Sequence, residues 1–374
     1  MEEHGFHFQN GTFKIMQVAD AQELHAVSPD TVRLLKMALA AEKPDLVVFT
    51  GDQIYGIHPR LWSERSVRRV LTALLAPVVE AGVPFAVTFG NHDAESGIPN
   101  PAQAEIYAGF PGYTAGDRRA ADDPGTFRIP VYGADGRAVL DVFAFDSHGS
   151  AAAGGKNGVN EAQLGWFKAQ REAERTATLA PPPALVFQHI PVPEYYQVID
   201  RVSKGTRGAV EAFGSRKNTF YALPDALTAA GGFMKETPAV AGPDEFGVLK
   251  ADGHVLALAV GHDHNNSFLA PYKGIDLIYT QGAGFHVYGP HLQRGVRVFV
   301  FNEKDPAAYT AYTRTWKSLT NARPREFLLG YALSKTPSSV SQAKAWAKRA
   351  LPFAAAGAAG AGLLAVCAVK KRKD

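Results

Sequence analysis

Leu46-Val47-Val48-Phe49-Thr50-Gly51-Asp52-Gln53-Ile54-Tyr55 is an apolar run of strand length that ends on a glycine and a carboxylate. Four consecutive apolar residues, two of them β-branched, imply a strand covered on both faces, as in the parallel sheets of α/β proteins. The same grammar recurs outward from this segment. Phe13 to Ala19 is a second short apolar run, and Ser28-Pro29-Asp30 caps a helix through Val32, Leu34, Leu35, Met37 and Leu39. Trp62 to Glu80 carries Val67, Val70, Leu71, Leu74 and Val78 at helical spacing. Pro84 to Phe89, Val139 to Phe145 and Leu185 to Gln188 are further strands, with a helix through Leu164, Trp166 and Phe167 before the last. Val255 to Val260, Ile275 to Thr280 and Val296 to Phe301 then follow without long helices between them. The pattern is βαβ early and strand-rich late. It predicts an α/β fold, a layered β-sandwich flanked by helices that closes on antiparallel strands. Residues 191–250 are Gly/Pro-rich and weakly periodic, and read as an insertion or lid.

Polar residues of one chemical kind follow those strands. Asp20-Ala21-Gln22, Gly51-Asp52, Gly90-Asn91-His92-Asp93, Gln188-His189 and Gly261-His262-Asp263-His264 each come directly after an apolar run. Loops at the carboxyl ends of strands are where α/β sheets build sites. Two carboxylates, an amide and three imidazoles suffice for two divalent metals, and Asp52 can bridge both. A metal pair about 3.5–4 Å apart clamps a phosphoryl group and activates water near neutral pH. With a single cysteine, Cys367, the chain has neither a disulfide framework nor a cysteine-based zinc site.

Composition supports a packed globular body: 46% of residues are hydrophobic and 20% charged, which excludes wholesale disorder. The net charge of +3 is unevenly spread. Residues 334–374 hold eight Lys and Arg against Asp374 alone, so the rest of the chain is slightly acidic, and a specific nucleic-acid partner is not expected. Ala350 to Val369 has no charged residue and lies between Lys348-Arg349 and Lys370 to Lys373. As a helix from Pro352 it would span roughly 27 Å, close to a hydrocarbon core. It reads as a C-terminal hydrophobic, transmembrane helix (350–369) after a basic linker (334–349) and before a basic tail (370–374). Met1 to Gly11 is polar and shows no secretory signal. The expectation is a membrane-associated protein in contact with lipid through this helix, its catalytic domain in the cytoplasm; a soluble cytoplasmic protein is the alternative.

V-V-F-T-G-D-Q-I-Y-G, F-G-N-H-D, F-D-S-H, Q-H-I-P-V-P-E-Y, G-H-D-H-N-N-S-F and G-A-G-F-H-V-Y-G together resemble the calcineurin-like metallophosphoesterases. Within them the chain is most similar to the purple acid phosphatase 29-type and cell-cycle-regulator branch and its bacterial relatives, from about Phe13 to Phe301. The resemblance implies one such domain over 1–333 and a hydrolase acting on a small phosphorylated substrate. It implies that Asp20 and His264 bind the first metal, Asp52 bridges, and Asn91, His189 and His262 bind the second. His92 would face the phosphate as the catalytic residue, with Asp93 orienting it. The metals would be two divalent ions among Mn, Fe, Zn and Mg.

Two departures bear on this. The first motif is usually Asp-x-His in the superfamily, and here Gln22 offers a neutral amide, acceptable to manganese, magnesium or iron. Tyr55 completes Gly-Asp-x-x-Tyr as in purple acid phosphatases, where that Tyr binds ferric iron; Gln22 is favoured as the ligand and Tyr55 is the alternative. His148 after the Asp146 strand end, Tyr195 in the lid segment and His286 in the Gly-rich loop are candidate substrate or supporting residues. A phosphodiesterase acting on a nucleotide derivative or lipid head group is the alternative activity, and a membrane-anchored scaffold with a decayed metal site the alternative of another kind.

Overall fold

The computed structural model describes residues 5–116, 118–119, 123–148, 158–178, 180–212, 214–242 and 244–336. The expected helix over 350–369, the tail 370–374 and most of the basic linker lie outside these residues. Among the described residues no helix is long and apolar enough to cross a membrane.

Leu46–Thr50 is a strand buried at every position, as its uninterrupted apolar run requires. It lies parallel between Thr12–Val18 and Phe85–Thr88. Gly295–Asn302 pairs antiparallel with Thr12–Val18, and Asp305–Thr315 closes this five-stranded sheet. In the second, nine-stranded sheet, Ala138–Ala144, Ala184–Phe187, Val255–Val260 and Ile275–Tyr279 are mutually parallel neighbours. Phe127–Tyr132 and Asn266–Tyr272 join them antiparallel.

The period of two along each strand builds the layers. Leu46 and Val48 point to one face, where they meet Phe13, Ile15 and Ala86 and, from the other sheet, Ile129, Val142, Leu185, Phe187 and Ala257. Val47 and Phe49 point to the opposite face, against Leu34 and Leu35 of the helix Pro29–Glu42 and Val67 and Leu71 of the helix Glu64–Glu80. On the far side, Phe143, Val186 and Leu258 pack under Phe167 of Glu161–Thr178 and Leu249 of Glu245–Asp252. Two sheets are thus pressed together with helices outside both.

Local signals set the helix ends. Ser28 Oγ accepts from the N–H groups of Asp30 and Thr31, and Pro29 opens the first turn. The next helix begins at Glu64 and not at Trp62, because Ser63 is its cap and Pro59–Leu61 forms a separate 3-10 turn. Three of the longer strands are absent from the sequence reading. Phe127–Tyr132 is interrupted by Arg128, which is buried only because it pairs with Asp141 and Glu174. Asn266–Tyr272 begins on polar residues and contains Pro271, and Asp305–Thr315 is a largely solvent-facing edge. The 191–250 segment holds a small antiparallel sheet of Asp200–Val202, Val210–Glu211 and Phe220–Ala222.

Candidate metal centre

Five loops that leave parallel strand ends converge between the two sheets. Asp20 follows Thr12–Val18, Asp52 follows Leu46–Thr50, and Asn91 and His92 follow Phe85–Thr88. His189 follows Ala184–Phe187, and His262 and His264 follow Val255–Val260. Asp20, Gln22, Asp52 and His262 sit at φ of 50°, 41°, 52° and 74°. Left-handed backbone costs about 1–3 kcal/mol per non-glycine residue and collects at functional sites. Glycines leave room for the inward-facing groups. A Cβ on Gly90 would lie 2.2 Å from Asp52 Oδ1, and one on Gly261 2.6 Å from Asp20 Oδ2.

The ligand atoms form two overlapping sets, Asp52 with His189 and His262, and Asp20 with Asp52 and His264, each within 4.8 Å of one another. His189 Nδ1 lies 3.0 Å from the Thr50 carbonyl, to which it donates, leaving Nε2 to face the centre. That Nε2 lies 3.3 Å from Asp52 Oδ2, 3.2 Å from Asn91 Oδ1 and 3.1 Å from His262 Nδ1. His264 repeats the arrangement: Nδ1 is 2.8 Å from the Tyr288 carbonyl, the ring stacks on Tyr288 at 4.1 Å, and Nε2 lies 3.4 Å from Asp20 Oδ1. Gln22, almost wholly buried, brings its amide nitrogen 3.3 Å from Asp52 Oδ2. Tyr55 instead sets its ring edge-on against His92, centroids 5.0 Å apart.

The charges of this cluster are unbalanced in the way a cation site is. Burial works against the Asp52 carboxylate, but the His189 and His92 fields overcome it and hold Asp52 well below its ordinary value. Burial, with the Asp52 charge adding, pushes Asp20 well above its own. Burial also opposes the His189 imidazolium, yet Asp52 drives that group up to about 10. Burial first, then the His189 charge, takes His262 down to about 3, and burial takes His264 to a similar value, so both are neutral donors. Carboxylates that need positive charge beside neutral imidazoles fit divalent ions, which would replace His189 as the source of that charge.

His92 stands at the rim, about a quarter exposed. Its N–H donates to Asp52 Oδ1 at 2.8 Å, and its Nδ1 lies 2.5 Å from Glu95 Oε2. Burial opposes its charge, but Asp52 and Glu95 raise it above the ordinary histidine value.

Three expectations change. Asp93 does not orient His92: its carboxylate accepts the N–H groups of Gly90, Asp52, Gln53 and Ile54, stitching two loops together. Glu95, unremarked in the sequence, takes the orienting place; its i, i+3 spacing from His92 was the available signal. Tyr195 is no substrate residue. It is fully buried, and its hydroxyl bonds the backbone of Leu258 and Ile278. His286 is held between Glu23 Oε2 at 3.2 Å and Glu326 Oε1 at 2.8 Å, its ring engaged by carboxylates of the fold. His148 joins a separate group with Asp123 and Asp146, their ligand atoms within 4.8 Å of one another.

A family model described as calcineurin-like phosphoesterase matches residues 13–266. "Probable inactive purple acid phosphatase 28" of Arabidopsis thaliana is 29% identical, over 83% of this chain and 81% of its own length. "Phosphatase DCR2" of Saccharomyces cerevisiae is 27% identical, over 84% of this chain and 55% of its own. A solved dimetal phosphatase from Danio rerio covers 81% of this chain and 99% of its own at 16% identity and a TM-score of 0.49. With two-thirds of its length under the family model, and with Asp and His gathered into two overlapping candidate metal sets, the chain belongs to the calcineurin-like phosphoesterases and is a metal-dependent phosphate ester hydrolase.

Proposed function

We propose that the chain hydrolyses a small phosphate ester at a centre bridged by Asp52. The observation that carries this reading is that Asp52 belongs to both ligand sets. A carboxylate shared by two cation sites is the arrangement that sets two metals about 3.5–4 Å apart. Asp20, Gln22 and His264 would hold one ion, Asn91, His189 and His262 the other. Two such ions supply Lewis acidity and a water of lowered pKa.

The chain's own residues do the rest. Glu95 holds His92 Nδ1, which leaves Nε2 free to carry a proton that would serve the phosphate and the leaving oxygen. Thr50 and Tyr288 fix the tautomers of His189 and His264. The close seat of Gln22 on Asp52, with Tyr55 turned to His92, supports Gln22 over Tyr55 as the remaining ligand. Relatives carry "inactive" in their names; the gathered Asp and His ligands argue for turnover here. The test is metal content of the purified chain together with turnover of p-nitrophenyl phosphate and its bis ester. Two metal equivalents with turnover of either ester support hydrolysis. Absence of metal and turnover after loading with manganese, iron, zinc or magnesium refutes it and leaves a scaffold. The same domain would be held at a membrane by residues 350–369, which predicts extraction by detergent and not by salt.

A further inference from the structure

Among the described residues the large apolar side chains left exposed are Ile57, Trp62, Leu328, Leu329 and Tyr331, at 51%, 61%, 79%, 44% and 51%. They fall on two segments: the loop after Tyr55, and the short helix Phe327–Leu333. His25 touches the first and lies three residues before Ser28, which bonds Glu326 at the start of the second. Its ring stacks on His58 at 5.0 Å and meets Arg60 at 2.7 Å, and it also feels the charge of His286, which is bonded to Glu326 at the start of the helix.

The helix is held firmly. Asp30 accepts the N–H groups of Arg325 and Glu326 at 3.0 and 2.7 Å, Glu326 also bonds Ser28, and Phe327 and Tyr331 pack on His291. Its outward leucines are therefore presented, not frayed.

Cations flank the helix part of this apolar face. Arg323 lies over Phe327 and Lys335 over Tyr331, at 5.2 and 5.4 Å. Burial, with Lys335 adding repulsion, lowers the Lys235 ammonium. Among the described residues Arg323, Lys235 and Lys335 form no ion pair, although the chain forms several elsewhere. Exposed leucines and aromatics ringed by uncompensated Lys and Arg are the surface chemistry that binds anionic lipid. A second copy of the chain would bring the same cations face to face and is disfavoured.

We infer that the helix Phe327–Leu333, together with Ile57 and Trp62, docks the folded domain onto an anionic lipid surface. The chain runs directly from this helix toward the basic clusters around the uncharged stretch 350–369, so surface and tail would meet the same bilayer. Trp62 Nε1 donates to the Gly56 carbonyl at 3.1 Å, and Gly56 N–H to the His92 carbonyl at 3.0 Å. Docking therefore puts the His92 loop close to the head groups. The docking itself does not rest on the hydrolytic reading.

The test uses the full chain with Cys367→Ser and an environment-sensitive fluorophore on Leu328→Cys, a position exposed enough to change without loss of core. A control carries it on Glu172→Cys, exposed on the helix that covers the other sheet. Vesicles of phosphatidylcholine with about a third phosphatidylglycerol should raise emission at 328 about twofold or more with a blue shift, and leave 172 unchanged. The response should fall by half or more in pure phosphatidylcholine, in about 0.5 M salt, or with Lys235→Glu and Lys335→Glu. Three results would overturn the inference. One is no change at 328 while the chain sediments with vesicles, which leaves binding to the tail alone. Another is an equal change at 172. The third is a change at 328 that needs only higher protein concentration and no lipid, which assigns the face to a second copy.

Discussion

Replacing Gly90 by Ala should disable the centre through a single methyl group. The added Cβ would lie 2.2 Å from Asp52 Oδ1, 2.6 Å from the Asp52 nitrogen and 2.8 Å from its Cγ. Ordinary contact begins at 3.4 Å, so the carboxylate or its loop must retreat by about 1.2 Å, beyond the wall of the repulsive potential. The loop has little freedom to comply, because Asp93 ties Gly90, Asp52, Gln53 and Ile54 to one carboxylate. A displacement of about 1 Å in a reacting constellation costs on the order of 100-fold in rate, about 2.7 kcal/mol of barrier. Here it falls on the residue common to both ligand sets, so bound metal should also drop below two equivalents. Metal analysis and turnover of p-nitrophenyl phosphate measure both. Gly165→Ala is the control. It lies on the exposed face of the helix Glu161–Thr178 with nothing near its Cβ, so turnover should stay and stability rise by about 0.5–1 kcal/mol. A Gly90→Ala protein with two metals and parental turnover would refute the bridging role of Asp52 argued from this packing.

Further outcomes follow from the same geometry. His92→Ala should keep both metals and slow turnover about 100-fold or more; loss of a metal would move His92 into the ligand set. Glu95→Gln should leave metal content intact and slow alkyl phosphates more than p-nitrophenyl phosphate, since only the poorer leaving group needs the His92 proton. An equal loss on both would reduce Glu95 to a structural role. His286 is raised to about 9, chiefly by its bond to Glu23, with Glu326 adding. A raised histidine stabilises the fold fully below its unfolded value near 6.5 and loses that as pH climbs through about 9. Chemical denaturation should therefore show about 1 kcal/mol less stability at pH 9.5 than at pH 6.5, a difference that His286→Gln removes; an unchanged pH profile would contradict the clamp. Gln22→Ala should lower metal stoichiometry and Tyr55→Phe should not; the reverse result would hand the ligand position to Tyr55.

Much of the centre is legible in the chain because its signals are local. An apolar run of strand length, a glycine and then a ligand-type residue are neighbours in sequence. Strand direction alone sends the following residue to a sheet end, so Asp20, Asp52, Asn91, His189, His262 and His264 could be named as a set. The alternation Leu46/Val48 against Val47/Phe49 likewise carries the two-sided burial that makes a sandwich. What the chain by itself did not determine is where a polar side chain turns once its loop is in place. Asp93 follows His92 directly yet turns to four backbone N–H groups, while Glu95 takes the imidazole. Tyr195 sits in a Gly/Pro-rich stretch yet closes a bond to two strands more than 60 residues away. His148 gains Asp123 only because Phe127–Tyr132 pairs with Ala138–Ala144. Such choices depend on which unpaired donors and charges the packed sheets bring within reach. A buried carboxylate or hydroxyl goes where its hydrogen bonds can be met, and that is a property of the assembled tertiary structure.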